Sequence, residues 1–491
     1  MTTTAAPRDR LRPAHRLAAL RSLMMGRADE SLEAIRRSIP DLDLRDVDSA
    51  VGVLDDAICA GGRGGGASWA LDFLRIRGDA RNAELRADRD AVVTHVEQLL
   101  DHVGTERWPD GTPVPTRAEL VTPWEYAARH GDPRSPIDAG GSHEVVGPHW
   151  AGEVAPPRRS APDPPRWRCE LRDVAVVGTS NAILGRDGEA VTTVAVHPQL
   201  ETFVFRDAQF ATSRQRTAWR WPGTWDDRAI DSGILLAGFG SSNWFHWLHE
   251  FLPVLGLLDD QPDLDGVPLL VDAGTMQVDQ IAESLHRRAP GRPVLRLAPG
   301  IRRPVHRLVV LGPILPMAPA LYDDVDITED LYVIPSWVPT RAPIRERSGR
   351  PGRRLFLSRA GSPFERIVRD ATLQRELDEL GLEHVDLGSM TMAAQGELLA
   401  DAELVVAPAG AALANLPFLA PGTPVVVLQS RVPDRPYSFP HFSTLADRLG
   451  HPLRYVGLHP AEDPTLHDLY SNVPGRLVPG SLRDAAEEVR S

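Results

Sequence analysis

The sequence predicts an α/β protein: two doubly wound parallel-sheet units with a cleft between them, preceded by a helical region. Three observations carry this. From residue 232 onward, short apolar runs alternate with amphipathic helical stretches. Single helices between strands imply right-handed crossovers and parallel pairing. Pro- and Gly-rich segments at 106–166 and 331–352 break the pattern as connectors do. Residues 10–105 carry only the three-to-four spacing of helices.

The elements follow in order. "SLEAIRRSI", "DVDSAVGVLDDAI", "ASWALDFLRI" and "DAVVTHVEQLLDHV" read as helices, with "AGGRGGGAS" as a loop among them. Residues 1–105 are thus a helical accessory domain, and 106–166, ending "EVAPPRRSAPDPPRW", a linker or covering segment. The first α/β unit is assigned to 167–340. "CELRDVAVVG", "NAILGRDGEAVTTVAV" and "ETFVFRD" are short strands with a DG turn; "GILLAGF" is a buried strand, and 242–258 a helix that Pro253 should kink or end. "VPLLVDAG", "VLRLAP" and "HRLVVLG" are further strands, with "QVDQIAESLHRRA" a helix between the first two. The second unit, 341–491, has strands at "RRLFLSR", "LEHVDL", "ELVVAP" and "PGTPVVVLQ". Its helices are "RIVRDATLQRELDEL", which Gly381 can end, and "MAAQGELLADA", which Thr391 can cap; "GAALANLPFLA" reads as a loop and short helix.

Composition removes several function classes. The formal net charge of −13 argues against a nucleic-acid binder, which needs a broad basic footprint. No lysine occurs, so neither a Schiff base nor a P-loop lysine is available, and any anion must be held by arginine, backbone amides or helix ends. Cys59 and Cys169 form neither a disulfide framework nor a metal-ligand spacing, which suits a reducing cytoplasm. The Arg-rich N-terminus lacks an uninterrupted apolar core and makes a poor signal peptide, though its amphipathic character allows peripheral contact with a membrane surface. No transmembrane helix is expected.

Three stretches can carry chemistry. In "GFGSSNWFHWLHEFLPVL" (238–255), a helix begun near Ser242 would align Asn243, His246 and Glu250 at i, i+3 and i+7, apart from an apolar face of Phe245, Leu248, Leu252 and Leu255. Ordinary packing explains His246 or His249 taken singly; four polar groups, Asn243, His246, His249 and Glu250, behind a Gly-rich strand end weigh equally toward a site. Arg359 closes the strand "RRLFLSR", where its planar fork suits a diphosphate, whereas Arg353, Arg354, Arg366 and Arg369 read more simply as solvated charges. "VVAPAGAALANLPFLAPGT" is a strand, a loop of tiny residues and a helix, an arrangement that lets backbone N–H groups approach a phosphate; tight helix–sheet packing explains the small residues as well. No metal ligands are assigned, because the D-x-D pairs are as frequent as chance allows in so acidic a chain.

Together, "NWFHWLHEFLP", "RRLFLSR…ERIV" and "LGLEHVDLGSMTMAAQGELLADAELVVAPAGAALANLPFLAPGT" resemble the glycosyltransferase 61 family, over residues 167–460. That family includes plant β-1,2-xylosyltransferases, animal transferases that add O-GlcNAc or extend O-mannose on protein, and bacterial proteins of polysaccharide biosynthesis. The resemblance implies a GT-B fold of two Rossmann-like units, with the donor nucleotide bound mainly by the C-terminal one and inversion at the sugar carbon. By position Asn243, His246 and Glu250 match the family's N-x-x-H-x-x-x-[D/E] segment, and Arg359 its strand-closing S-R. Gln395 matches a recurrent Gln, and Gly410, Ala411 and Asn415 the H-G-A-x-L-x-N loop. Ala409 stands where the family usually has His, Val427 where it has Glu, and Arg369-Asp370 where it has Asn-Glu.

The expected function is therefore an inverting, metal-independent glycosyltransferase. It has no resident cofactor, a nucleotide-sugar (first a UDP-sugar) as co-substrate, and a hydroxyl acceptor on a glycan, glycolipid, protein or natural product. Glu250 is the first candidate for the base and His246 the second, while Arg359 and the amides around Gly410 face the diphosphate. The alternative is a catalytically degenerate transferase-fold scaffold or partner subunit. A Rossmann oxidoreductase is disfavoured by the missing GxGxxG.

Overall fold

The computed structural model describes residues 106–114, 117–192, 210–213, 217–220, 224–238, 240–312, 352–358, 366–431, 440–460 and 475–490. The N-terminal helices expected over 10–105, the strand "ETFVFRD", the connector 331–351 and Arg359 lie outside the described residues.

The chain forms two large sheets. Strands β1 (Glu106–Arg107) and β2 (Pro113–Val114) make a small separate pair. The larger sheet takes β3 (Arg117–Val121), β4 (Arg134–Asp138), β7 (Arg166–Val177), β8 (Ala182–Leu184), β9 (Ala190–Thr192), β10 (Phe210–Ser213), β11 (Thr217–Arg220) and β12 (Thr224–Trp225). It also takes β13 (Ile230–Leu235), β14 (Leu269–Asp272), β15 (Val294–Leu297) and β16 (Ile301–Gly312). Its path runs β10-β11-β3-β9-β8-β7-β16-β13-β14-β15, with β12 beside β16 and β4 beside β7. The strands β16-β13-β14-β15 are parallel, while β7 and the hairpin strands beyond it join antiparallel. A doubly wound parallel unit thus describes only one end of this sheet. Over 167–192 the strands follow one another through tight turns, and a tight turn reverses the chain.

The smaller sheet contains β17 (Arg353–Leu357), β18 (Glu383–Val385), β19 (Ala402–Pro408), β20 (Val425–Ser430), β21 (Leu453–Pro460) and β22 (Gly475–Arg476), in the order β18-β17-β19-β20-β21-β22. The first five are parallel. The runs "LVVAP" and "VVVLQ" are buried at every position, as a sheet covered on both faces requires. Helices α3 (Ala371–Glu379) and α6 (Ser481–Glu488) supply core residues to one face; α4 (Met392–Ala400), α5 (Pro440–Leu449) and the 3-10 helix Ala411–Phe418 supply the other. Asp370 caps α3 by accepting from Thr372 N and Leu373 N, so this helix starts later than its apolar spacing suggests. Gly381 follows in the left-handed region (φ 62°), and Thr391 caps α4 as expected.

Residues 106–166 are more than a linker. Helix α1 (Pro123–His130), closed by a capping box between Thr122 and Glu125, packs on the larger sheet. The hairpin β5 (Ser142–Val145) and β6 (Arg159–Pro162) instead docks on the smaller one. Val146 N donates to Thr444 Oγ1 at 3.1 Å, Arg158 pairs with both oxygens of Asp447, and Trp150 bridges Tyr455 alongside β21. The Pro-rich composition concealed this because the contacts are formed with residues nearly three hundred positions away.

Candidate functional site

The opening stretch does not form one regular helix. A single α-turn (Trp244–His246) passes into a π-turn (Trp247–Phe251) and then a 3-10 helix (Leu252–Leu258). Pro253 enters the 3-10 part near its start, in accord with its missing N–H. A π-turn inserts an extra residue into the winding, and such turns concentrate at functional sites.

Its consequence is a segment held between two cores. Trp247, Phe251, Val254, Leu255 and Leu258 pack with the larger sheet. Phe245 is buried among residues of the smaller sheet, including Ala407, Ala409, Leu413 and Ala414, with Trp244 and Leu248 against the same cluster. Polar contacts follow the same route: Trp244 Nε1 donates to Asn415 Oδ1 at 2.8 Å and His249 Nε2 to the Ala414 carbonyl at 3.2 Å. These contacts run through Trp244, Phe245 and His249, beside the stripe of Asn243, His246 and Glu250 that the sequence singled out. Along Trp244, Phe245 and His249 the segment lies directly on the 411–418 helix.

Of the expected catalytic set, Asn243 is exposed and caps the turn, its Oδ1 accepting from Phe245 N at 2.9 Å. His246 and Glu250 come together as the four-residue spacing suggested: His246 Nδ1 lies 2.7 Å from Glu250 Oε1. Glu250 is buried, its side chain 4% exposed, whereas His246 retains 19%. A carboxylate accepts, so Nδ1 carries the proton in the neutral ring and Nε2 holds the basic lone pair. Burial pulls the His246 pKa down, but the charge and hydrogen bond of Glu250 outweigh it and leave it raised.

Two further imidazoles adjoin Phe245. Its ring centroid lies 5.7 Å from His246, 5.0 Å from His249 and 4.9 Å from His441. Burial lowers His249 to about 4 and takes His441 well below its ordinary value, helped in the latter by His249, His246 and Arg366. Both rings are therefore neutral near pH 7.

The smaller sheet contributes a topological switch point. Its order reverses between β17 and β19, the kind of switch point at which open α/β sheets bind ligands. Beyond β19 lie Ala409 and Gly410, the latter at φ 156°, where a side chain would be strained. Arg366 donates through Nη1 to the Ala409 carbonyl, and Arg369 Nη2 to Ser358 Oγ at 3.0 Å, just past β17. The weaker sequence candidate, Arg366, is thus the cation that the described residues place on this loop. Ala411 is half-buried at the loop, but Asn415 lies deeper, accepting from Trp244 and donating to the Ala412 carbonyl. Gln395 is 2% exposed and donates to the Leu387 and Met390 carbonyls, bracing the turn before α4.

Sequence reasoning passed over Asp272, the last residue of β14. Its carboxylate, 1% exposed, accepts from Thr179 N, Gly238 N (2.9 Å) and Ser241 Oγ (2.6 Å). Burial raises its pKa against these donors. The available signal was an acid ending a wholly apolar strand, "VPLLVD". His441 gave none, since its helix is remote in sequence. Among the described residues no group of three or more His, Cys, Asp or Glu is placed to hold a metal ion.

The fold is thus a mixed α/β protein of two sheets, with a switch point in the smaller one and a His–carboxylate pair on the segment that packs against both. Residues 244–426 match the family model described as Glycosyltransferase 61. No curated protein matches the chain. Among solved structures, the chain is similar to the bacterial iron-containing dodecameric glycosyltransferase TibC from enterotoxigenic E. coli H10407, at 9% identity and a TM-score of 0.24. That match covers 67% of this chain and 80% of that one. No helix among the described residues is long and apolar enough to cross a membrane.

Proposed function

We propose that the protein is an inverting, metal-independent glycosyltransferase of GT-B type that moves a hexosyl or pentosyl group from a nucleotide-sugar, first a UDP-sugar, to an acceptor hydroxyl. The observation that carries the reading is the 2.7 Å contact of His246 with the buried Glu250. It reverses the order of the two candidate bases: Glu250 holds the ring, and His246 Nε2 takes the proton. The acceptor oxygen then forms a bond to the anomeric carbon as the bond to the diphosphate oxygen breaks on the opposite face. The proton rests on His246, and the electron pair leaves with the nucleotide diphosphate. Arg366, with the amides around Gly410 and Ala411, stabilises that charge; Arg359, which closes the run "RRLFLSR" in sequence, is assigned to it as well. Glycans of polysaccharide biosynthesis are the acceptors that the family match favours, and a free buried Cys169 suits action in the cytoplasm.

Hydrolysis of UDP-, GDP- and dTDP-sugars tests this. One donor should be cleaved by the wild type, with Glu250→Gln and Arg366→Ala each at least tenfold slower; equal rates in all three proteins refute the site. The close packing of Trp244, Phe245 and His249 on the 411–418 helix favours a second reading, a transferase-fold scaffold. A thermal-shift series with UDP, GDP and dTDP separates the two, since the scaffold responds to none.

A further inference from the structure

The turn that leads into the His246–Glu250 pair is held from below. Gly238 N and Ser241 Oγ both bind one oxygen of Asp272, and Ser241 Oγ lies 2.6 Å from Thr275 Oγ1. Ser241 and Thr275 are as buried as Asp272 itself. The other oxygen of Asp272 receives Thr179 N, and Thr179 stands at φ 65°, a conformation that a β-branched residue adopts only when its surroundings impose it. Gly238 cannot carry a side chain, because a Cβ there would overlap Asn181 Oδ1. The turn is thus clamped at Gly238 and at Ser241.

Between those clamps the chain touches the imidazole. Gly240, at φ 85°, lies so close that a Cβ added there would stand 3.1 Å from both Cγ and Cδ2 of His246. The next turn is joined on by Asn243 N donating to the Gly240 carbonyl at 2.8 Å. We infer that Asp272 is a positioning residue for His246: by fixing Gly238 and Ser241 it sets the Gly240 backbone against the imidazole and so holds the ring in line with Glu250. The strained Thr179 is held by the same carboxylate, through its N–H. Asp272 reaches His246 only through the turn.

This inference rests on the role proposed for His246, but its test reads the ring and needs no substrate. In full-length protein with ¹⁵N-labelled histidine, the His246 titration is followed by NMR in wild type, Asp272→Asn, Ser241→Ala and Ser284→Ala. The charged and titratable groups around that ring are Glu250, His249, His441 and Arg366, and all four are retained in every variant. Asp272→Asn turns a donor toward groups that already donate. Ser241→Ala keeps the carboxylate and removes a single hydroxyl, so it remains informative should the first variant fail to fold. Ser284→Ala is the control: Ser284 accepts from Trp247 Nε1 at 2.7 Å on the opposite side of the same segment.

Loosening the ring from Glu250 removes what raises its pKa, so the His246 midpoint should fall by half a unit or more in Ser241→Ala and further in Asp272→Asn. Ser284→Ala should leave it in place while lowering thermal stability. The inference is overturned if folded Ser241→Ala titrates as the wild type does, or if Ser284→Ala shifts the midpoint equally. Either result leaves the donor-hydrolysis test with Glu250→Gln and Arg366→Ala untouched. Conversely, a shifted midpoint with no donor cleaved would support the positioning and sink the transferase role.

Discussion

Replacing His249 by Phe should change how stability depends on pH, by an amount the structure fixes. The ring is 3% exposed and its pKa lies at about 4 against 6.5 in the unfolded chain. A depressed imidazole stabilises the fold where it is neutral in both states, and that contribution disappears as pH falls from 6.5 toward 4. Linkage between those two values gives a loss of about 2 kcal/mol between pH 8 and pH 5. The variant lacks this term, and it also lacks the bond to the Ala414 carbonyl, which costs about 1–3 kcal/mol at every pH. His246 and His441 remain in both proteins and cancel to first order. His246, with its raised pKa, has the opposite sign: its contribution is present below 6.5 and lost as pH rises. Urea unfolding at several pH values should therefore show the variant less stable at pH 8 and the gap closing by about 2 kcal/mol at pH 5. Parallel curves across that range would refute the assignment of His249 as a neutral, buried contact between the two sheets.

Three other outcomes are expected. Trp244→Phe keeps the ring in its apolar surroundings but removes the donor to Asn415, and should lower stability by about 1–3 kcal/mol in urea titrations. Asp370→Ala uncaps α3 and should cost about 1 kcal/mol, read as a shift in thermal midpoint. If His246 is the base, transfer should fall as pH drops through a midpoint above 6.5, because the protonated ring cannot accept; Glu250→Gln should move that midpoint lower. A pH profile unchanged by Glu250→Gln would contradict that role.

What the sequence revealed was local or periodic. The second sheet was legible because each strand is a continuous apolar run and the interruptions are capped helices, as at Thr391 and Gly381. The His246–Glu250 pair was legible because a four-residue spacing survives a change of winding. The π-turn was not, since composition does not distinguish it from an α-turn, and it rotated His249 into the 411–418 helix. Asp272 and His441 were passed over, and Arg366 ranked below Arg359, for a common reason: each gains its meaning from a partner distant in sequence. The segment 106–166 read as a linker or covering segment without a stated seat, because the residues it docks on lie far along the chain.

That hairpin has a bearing on how the molecule is made. Tyr455 N donates to the His149 carbonyl and Ala151 N to the Tyr455 carbonyl, so residues 149–151 dress part of β21. Gly152 N also reaches Glu488 in the last helix. A fragment starting near residue 341 would leave those ladder groups of β21 bare, an invitation to pair with another chain. During synthesis the early hairpin must wait for residues 444–455 to emerge before it finds its seat, so the smaller sheet is completed by a segment made nearly three hundred residues before it.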